Sequence, residues 1–285
     1  MKRLLRVASG DPLRLSALLA ERLSLPLEEA QALVRKGAIE VDGRHLRADV
    51  MLTVGARIVA FVADEETKAQ PSAKLLVAYK DEHVFVIDKP AGLRSQAVRG
   101  DAWVTLIARV QRELDKHATL LHRLDRDTSG LVLLPRTDEA RAFCQRALDA
   151  GQIDRRYLAR VKGRLDAPRT VRLRIAPDPR DPRRRIAHPE AATVGDAAET
   201  KIEPIAPGDT ESRVRLVLST GRTHQLRVHL AAIGHPILGD TLYDGPPSDR
   251  LWLHADELSF PDVRTGALRK IVSALEALPS SDAAR

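Results

Sequence analysis

A succession of short strand-like segments between residues 74 and 260 constrains the fold of this 285-residue chain more than any other feature. Tyr157, Ala159 and Val161 alternate on one face of such a segment. Helical patterns interrupt the series, which predicts an α+β fold with a mixed, largely antiparallel sheet and flanking helices. The strand-like segments are found in KLLVAYKDEHVFVIDKPAG (two), LVLLPRT, RRYLARVKG, VRLRI, ETKIEPI, SRVRLVLST and LWLHADELSF.

The first residues predict a smaller α+β domain. DPLRLSALLAERL has a capping residue in Asp11, proline at the first helical position and leucines on one face. PLEEAQALVRKG predicts a second helix that ends at Gly37, AIEVDGRHL a hairpin with an Asp-Gly turn, and VGARIVAF a strand. We expect this domain over residues 1–64, a polar linker over 65–74, a second domain over 75–275 and a flexible tail over 276–285.

Three helical patterns are inserted among the strands of the second domain: DAWVTLIARVQREL, TDEARAFCQRALDAG and THQLRVHLAAIG. The last has Leu226, Leu230 and Ile233 facing inward. The second contains Cys144, for which a buried helix position is the favoured interpretation. The first has apolar side chains at helical spacing, which are Trp103, Leu106, Ile107, Val110 and Leu114.

The charge of the chain indicates an acidic partner, of which nucleic acid is the commonest. The net charge is +7, and 36 of the 46 basic residues are arginine, whose planar fork suits phosphate oxygens. From Arg155 to Arg185 there are twelve basic and three acidic residues, whereas residues 1–65 have a net charge of +1. An arginine-rich genome would explain scattered arginines equally well, and part of the basic segment could be a solvated loop.

Several classes of protein are disfavoured. No apolar stretch approaches the roughly 20 residues of a membrane helix, and the amino end does not resemble a signal peptide, so we expect a cytoplasmic protein without membrane contact. A single cysteine excludes an intramolecular disulfide and a cysteine metal cluster. The histidines lack ligand spacing, so no metal is expected. We expect a monomer.

The segment LHRLDRDTSGLVLL, Leu121 to Leu134, places two arginines and two aspartates in five residues ahead of an apolar run. If HRLD is extended, Arg123 and Asp125 point to one side, while His122, a packing histidine, points to the other. DTSG is typical of a turn. From these residues alone, an ion-paired surface turn and an active site are both possible.

Five islands of sequence, in order, make the chain resemble the RluA-type pseudouridine synthases. They cover most of residues 75–262, and all five in one order are far more specific than the letters RLD. The islands are DEHVFVIDKPAGL (Asp81 to Leu93), LLHRLDRDTSGLVLL (Leu120 to Leu134), RRYLARVKG (Arg155 to Gly163), TGRTHQLRVHLAAIGHPILGDTLY (Thr220 to Tyr243) and LWLHADELSF (Leu251 to Phe260).

This resemblance implies a cofactor-independent isomerisation of uridine within RNA. It assigns the essential carboxylate to Asp125, as nucleophile toward the base or as base toward the ribose, and its counter-charge to Arg227. We expect Arg227 to emerge from its helix between the buried stripe and the cleft. By resemblance, Tyr157 stacks on the uracil, and Arg123 fills the gap left by the flipped nucleotide. Further RNA contacts are expected from Arg222, His224, Arg155, Arg156, Arg183, Arg184 and Arg185.

The first 60 residues are similar, more weakly, to the S-four-like RNA-binding domain that many of these synthases carry. The family usually has Ser-Arg at the start of the second helix, where this chain has Pro26 to Glu29. RSQAVRG also replaces a frequent His-Pro after KPAGL. These departures concern RNA contacts rather than the chemistry.

The favoured function is therefore an RNA pseudouridine synthase, most readily one acting on ribosomal RNA, with transfer RNA as an alternative. A non-catalytic RNA-binding or ribosome assembly protein of the same fold is a second hypothesis. A hydrolase using Asp125 lacks the second carboxylate or the triad that such chemistry needs.

Overall fold

A computed structural model of the protein describes residues 2–35, 37–61, 75–96 and 105–274. These residues form two compact units, one within Met1–Ala73 and Arg94–Lys116, the other within Lys74–Leu93 and His117–Arg285. The expected linker, Trp103 and the expected tail lie outside the described residues, and the domain boundaries stay a prediction. In the described part of the chain, no helix has the length and apolar character needed to span a membrane.

The first unit combines a small antiparallel sheet with helices. Its strand order is β1-β4-β2-β3, and apolar side chains of α1, α2 and the sheet form one core. The strands are β1 (Lys2–Arg6), β2 (Ile39–Val41), β3 (Arg44–Leu46) and β4 (Arg57–Phe61). The helices are α1 (Leu15–Leu23), α2 (Leu27–Arg35) and α3 (Leu106–Glu113).

The predicted start of the first helix at Asp11 and Pro12 is wrong, because α1 begins at Leu15. Asp49, distant in sequence, accepts hydrogen bonds from the backbone N–H and the hydroxyl of Ser16 at 2.8 Å each, and so caps the helix. Asp11 instead accepts from the backbone N–H of Ala8 and pairs with Arg22. A tertiary contact thus replaces the local cap.

The second unit contains a sheet of ten described strands in the order β10-β9-β11-β12-β8-β13-β7-β6-β5, with β14 paired to β13. Only β7 and β13 pair in parallel; the other pairs are antiparallel, which confirms the predicted fold class. The strands are β5 (Leu76–Lys80), β6 (Val84–Lys89), β7 (Ser129–Pro135), β8 (Asp154–Lys162), β9 (Arg169–Pro177), β10 (Arg185–Pro189), β11 (Asp196–Ala206), β12 (Glu211–Leu218), β13 (Leu253–Pro261) and β14 (Leu268–Val272).

Like β1 of the first unit, the two strands β10 and β14 have no counterpart in the sequence prediction. Both pair through their backbones, but the side chains of β14 are mostly exposed and those of β10 are mostly half-buried, so neither strand alternates buried apolar with exposed side chains. The basic segment, part of which the sequence allowed to be a solvated loop, is built mainly of β8 and β9, and β10 begins at its last residue, Arg185. Backbone pairing, which no side-chain pattern reports, decides these edges of the sheet.

Two helices complete the second unit, α4 (Asp138–Asp149) and α5 (Gln225–Ala232). Thr137 caps α4, and Cys144 lies in a core with Leu133, Leu258 and Phe260. Burial raises the pKa of the Cys144 thiol to about 11, which suits an unreactive packing residue.

Gly130 connects β7 to β13 by an approach that only glycine allows. Its φ is +112°, and a Cβ there would lie 2.5 Å from the backbone nitrogen and 2.7 Å from the carbonyl carbon of Ala255. We predict that Gly130→Ala lowers the free energy of unfolding by about 3 kcal/mol or more, because both strain and overlap oppose it. Urea unfolding measures the loss.

Gly151→Ala is the matched control, since its φ is +69° and no atom lies within 4 Å of the added Cβ. It carries only the backbone cost of about 1 kcal/mol. Equal losses in the two variants would contradict the close-approach explanation.

Candidate active site

Asp125 lies in an irregular segment that leads into β7. His122 and Leu124 are buried and Arg123 is exposed, so the predicted alternation holds although the segment is not a strand. His122 packs inside, where its Nε2 accepts a hydrogen bond from the backbone N–H of Leu133. Burial and then Arg155 lower the pKa of His122 to about 3, so this histidine stays neutral. Asp125 is left half-buried beside the exposed Arg123.

Lys89 holds this segment from inside the protein. Its side chain is fully buried, and Nζ donates to the carbonyl oxygens of Leu93 at 2.7 Å, Pro90 at 3.0 Å and Arg126 at 3.0 Å. Three acceptors match the three protons of an ammonium group. The bond to Arg126 fixes the backbone next to Asp125.

Arg227 is the cation that faces Asp125. Its Nη1 is 3.4 Å from Asp125 Oδ2, although 102 residues separate the two. The helix that carries it, α5, is enclosed rather than amphipathic, since residues Gln225 to Leu230 are all buried. Because the whole circumference of α5 is buried there, Arg227 lies inside the protein instead of at the edge of an apolar stripe. The helix begins at Gln225, two residues after the expected start at Thr223.

Asp240 is the main partner of Arg227. Its carboxylate accepts from Arg227 Nε and Nη2 at 2.7 Å each, and also from the backbone N–H groups of Leu242 and Tyr243. Burial opposes the charge of Arg227, but Asp240 and then Asp125 raise its pKa above the ordinary value. This bidentate pair fixes the plane of the guanidinium and leaves Nη1 directed at Asp125.

An aromatic pair completes this side of the site. The guanidinium of Arg227 lies 5.1 Å from the ring centroid of Tyr243, and the Tyr243 hydroxyl is 2.8 Å from Nδ1 of His224. His224 Nε2 in turn is 3.8 Å from Asp125 Oδ2. Burial, with Arg227 and Arg185 nearby, lowers the pKa of His224 despite the attraction of Asp125.

Tyr157 belongs to β8 and is 4% exposed. Burial raises the pKa of its hydroxyl; Arg155 acts against this shift and Asp125 adds to it. The neutral phenol is thus favoured beside the carboxylate. Arg155, two residues earlier on β8, has a buried Nε without a hydrogen-bond partner among the described residues.

Arg123, Arg222 and Arg156 are three further candidate residues, and in the described part of the chain none of them pairs with Asp125. Arg123 is exposed, and Arg222 donates to the carbonyl of Ala197. Arg156 pairs with Asp154 and Glu257, away from Asp125.

The three arginines at the start of β10 and just before it, residues 183–185, differ in exposure and in their contacts. Arg183 is exposed and pairs with Asp181, while the guanidinium of Arg184 lies 5.4 Å from the Tyr243 ring. Arg185 donates its backbone N–H to the Tyr243 hydroxyl. The basic segment therefore reaches the site through Tyr243.

Sequence reasoning missed Asp240, Tyr243 and Lys89. All three belong to islands that were recognised, ILGDTLY and IDKPAG, but charge or aromaticity alone assigned them no role. The signal that was available is the position of an aspartate and a lysine within otherwise apolar segments, where a charge needs a partner.

This arrangement suits chemistry that uses one carboxylate. Asp125 is accessible, a fixed cation faces it, and a buried aromatic ring lies nearby. Asp240 is fully engaged by Arg227 and two backbone donors, so it is not a second reactive carboxylate. Among the described residues, no group of three or more histidine, cysteine or carboxylate side chains is arranged to hold a metal ion.

Comparison with known proteins gives a consistent result. A sequence profile of the family described as RNA pseudouridylate synthase matches residues 83–232, more than half of the chain. A ribosomal large subunit pseudouridine synthase D from Xylella fastidiosa is 39% identical over 188 residues, which are 64% of this chain and 56% of that protein. The match thus spans little more than half of that relative.

Two further similarities extend this result. The dual-specificity RNA pseudouridine synthase RluA from Escherichia coli K12 is 36% identical over 193 residues, 65% of this chain and 86% of that one. The solved structure of human RNA pseudouridylate synthase domain containing 1 has a TM-score of 0.63 at 25% identity, over 75% of this chain and 89% of the human one.

Asp240→Asn should remove the neutralising charge from a buried guanidinium. We predict a loss of about 3–5 kcal/mol in the free energy of unfolding, because breaking one side of a buried pair leaves an uncompensated charge. Urea unfolding measures it. Asp166→Asn, which affects an exposed pair with Arg164, is the control and should leave the midpoint unchanged. Similar midpoints for the two variants would disprove the role of the buried pair.

Lys89 predicts a pH dependence of stability. Burial lowers its pKa from 10.5 to about 7 in the folded protein. Between these values the unfolded chain binds a proton that the folded chain does not, so the free energy of unfolding rises with pH in this window. Lys89→Met should remove that rise in urea unfolding at several pH values, whereas Lys80→Met, at an exposed lysine, should retain it. An unchanged slope in Lys89→Met would contradict the assignment.

Proposed function

Because the chain belongs to the RNA pseudouridylate synthase family, we propose that it isomerises uridines of ribosomal RNA to pseudouridine, with Asp125 as the catalytic carboxylate. The observation that carries this proposal is the contact between Asp125 and Arg227, a buried guanidinium held by Asp240. A fixed cation stabilises a carboxylate anion in a partly desolvated site without having to reorganise during the reaction.

The reaction breaks the glycosidic bond of a uridine, turns the base and rejoins it through carbon five. Either role of Asp125, as nucleophile toward the base or as base toward the ribose, needs an accessible anion. We assign the stacking position against the uracil to Tyr157, because its register partner on β13, Ala255, also pairs with Gly130 of β7, the strand that follows Asp125. We assign Arg123, exposed beside Asp125, to the gap left in the RNA.

Ribosomal RNA is the preferred substrate because a relative that is 39% identical to this chain is named a ribosomal large subunit pseudouridine synthase. The dual-specificity name of another relative keeps transfer RNA as the alternative. The rival proposal, a non-catalytic RNA-binding or assembly protein, is disfavoured by the intact set of Asp125, Tyr157 and Arg227. We retain cytoplasmic location and a monomeric state as expectations.

We assign most of the phosphate contact to the basic segment from Arg155 to Arg185. Its surface ion pairs, such as Arg183 with Asp181, are weak and can exchange for phosphate. The segment ends against Tyr243 of the site, so RNA held by it would be led to Asp125. We assign a smaller part of the phosphate contact to residues 1–65, whose net charge is +1, whether or not they form an S-four-like domain.

Asp125→Asn should abolish isomerisation, by at least about 10³-fold, while folding and RNA binding persist. Pseudouridines are mapped in total ribosomal and transfer RNA from cells that lack the gene and are complemented with wild type or variant. Asp127→Asn, an exposed neighbour paired with Arg126, is the matched control and should restore the modification. Restoration by Asp125→Asn would falsify the catalytic assignment, and the uridine that loses its modification identifies the substrate.

Charge reversal at Arg180 and Arg183, both exposed, should weaken RNA binding and flatten its salt dependence. Each lost phosphate contact lowers the slope of log K against log salt by roughly 0.7–0.9. Binding to a ribosomal RNA fragment at several salt concentrations measures this slope. Reversal at Arg141 and Arg146, exposed on α4, should leave it unchanged; the same slope in both pairs would exclude the basic segment as the phosphate-binding surface.

A further inference from the structure

His224 has a backbone conformation that its residue type rarely adopts. With φ 57° and ψ 18° it lies in the left-handed region immediately before α5, and its side chain does not cap the helix. Left-handed backbone at a residue other than glycine costs free energy and tends to occur where a side chain is held for function. The conformation places the imidazole between Tyr243 and Asp125.

The hydrogen bonds around Tyr243 specify which nitrogen of His224 carries the proton. The Tyr243 hydroxyl oxygen accepts the backbone N–H of Arg185 at 2.9 Å. Among the described residues, the remaining hydrogen-bond neighbour of this hydroxyl is His224 Nδ1, at 2.8 Å. The hydroxyl has one proton to donate, and donation of that proton to Nδ1 leaves the proton of a neutral ring on Nε2.

The protonated nitrogen faces the candidate catalytic carboxylate. His224 Nε2 is 3.8 Å and Arg227 Nη1 is 3.4 Å from the same oxygen, Oδ2 of Asp125. The contacts of Asp125 with Arg227 and with His224 both involve Oδ2 rather than Oδ1. Two donors thus approach one side of the carboxylate, and its other oxygen is directed elsewhere.

We propose that neutral His224 is a second hydrogen-bond donor to Asp125, that Tyr243 fixes its tautomer, and that Oδ1 is therefore the oxygen that reacts. The part that concerns reaction rests on the proposed function, whereas the tautomer and the contact do not. His224 and Tyr243 are positioning residues, because both act through Asp125.

The charges around His224 are consistent with a neutral ring. Asp125 and Asp240 favour protonation, whereas Arg227, Arg185 and burial oppose it. The Tyr243 hydroxyl further opposes it, because its bond to Nδ1 exists only while that nitrogen is an acceptor. Tyr243→Phe keeps the ring under Arg227 but removes this bond, so the pKa of His224 should rise and the Nε2–H tautomer should lose its preference.

The first test is nuclear magnetic resonance of the histidine ring nitrogens in the free protein, assigned by comparison with His224→Gln. We expect a protonated Nε2 and an unprotonated Nδ1 at neutral pH, a mixed tautomer in Tyr243→Phe, and a shift of the Nε2–H resonance in Asp125→Asn. A proton on Nδ1 in the wild type, or no response to either variant, overturns the proposal. This readout is independent of whether the protein modifies RNA.

The second test compares the rate of uridine conversion in two substitutions. His224→Gln places a donor near the position of Nε2 and should retain kcat within about threefold, whereas His224→Asn, which tolerates left-handed backbone but lacks that reach, should lose about 10- to 100-fold in kcat with little change in KM. Equal losses in both variants would indicate a merely structural role and overturn the proposal, as would full activity of His224→Asn.

His83→Asn, at a partly exposed histidine in the turn before β6, is the control for both measurements and should match the wild type.

In Tyr243→Phe the acid side of the pH–rate profile should move to higher pH, because His224 gains a proton more readily. An unmoved acid side contradicts the proposed coupling. If even the wild type converts no uridine, the proposed function fails, but the resonance measurements still decide the tautomer and the contact.

Discussion

The buried ion pair between Arg227 and Asp240 is the interaction on which the site depends. Transferring a guanidinium from water into the protein interior is costly unless every donor finds a partner. Asp240 supplies two bonds of 2.7 Å, and its own oxygens are completed by backbone N–H groups. The cation is thereby fixed in one plane, and its Nη1 group meets Asp125 without adjustment.

The large sheet explains how such distant residues come together. The strand that follows Asp125 is β7, and the strand that carries Tyr157 is β8. Only β13 lies between these two strands in the sheet. The parallel contact of β7 with β13 needs Gly130, whose missing side chain lets the backbone of Ala255 approach. The buried Lys89 fixes the segment around Asp125 by a hydrogen bond from Nζ to the carbonyl oxygen of Arg126.

Strands with a buried face could be predicted from sequence, because apolar alternation records which side packs against the core. The edge strands β10 and β14 could not, since neither alternates buried apolar with exposed side chains and backbone pairing defines them. The start of α1 was misplaced for a related reason: its cap is Asp49, about thirty residues away in sequence and adjacent only after folding.

The motifs of the chain were sufficient to identify the family, because they appear in sequence as residue types in a fixed order, and the resemblance that they carry is the basis on which Asp125, Tyr157 and Arg227 are proposed as site residues. The environment of those groups was decided by packing. That Arg227 is buried, that Asp240 rather than Asp125 is its main partner, and that a tyrosine sets the histidine tautomer all depend on distances between segments far apart in the chain. Hydrogen bonds and ion pairs are short-ranged, so only the folded arrangement determines which of them form.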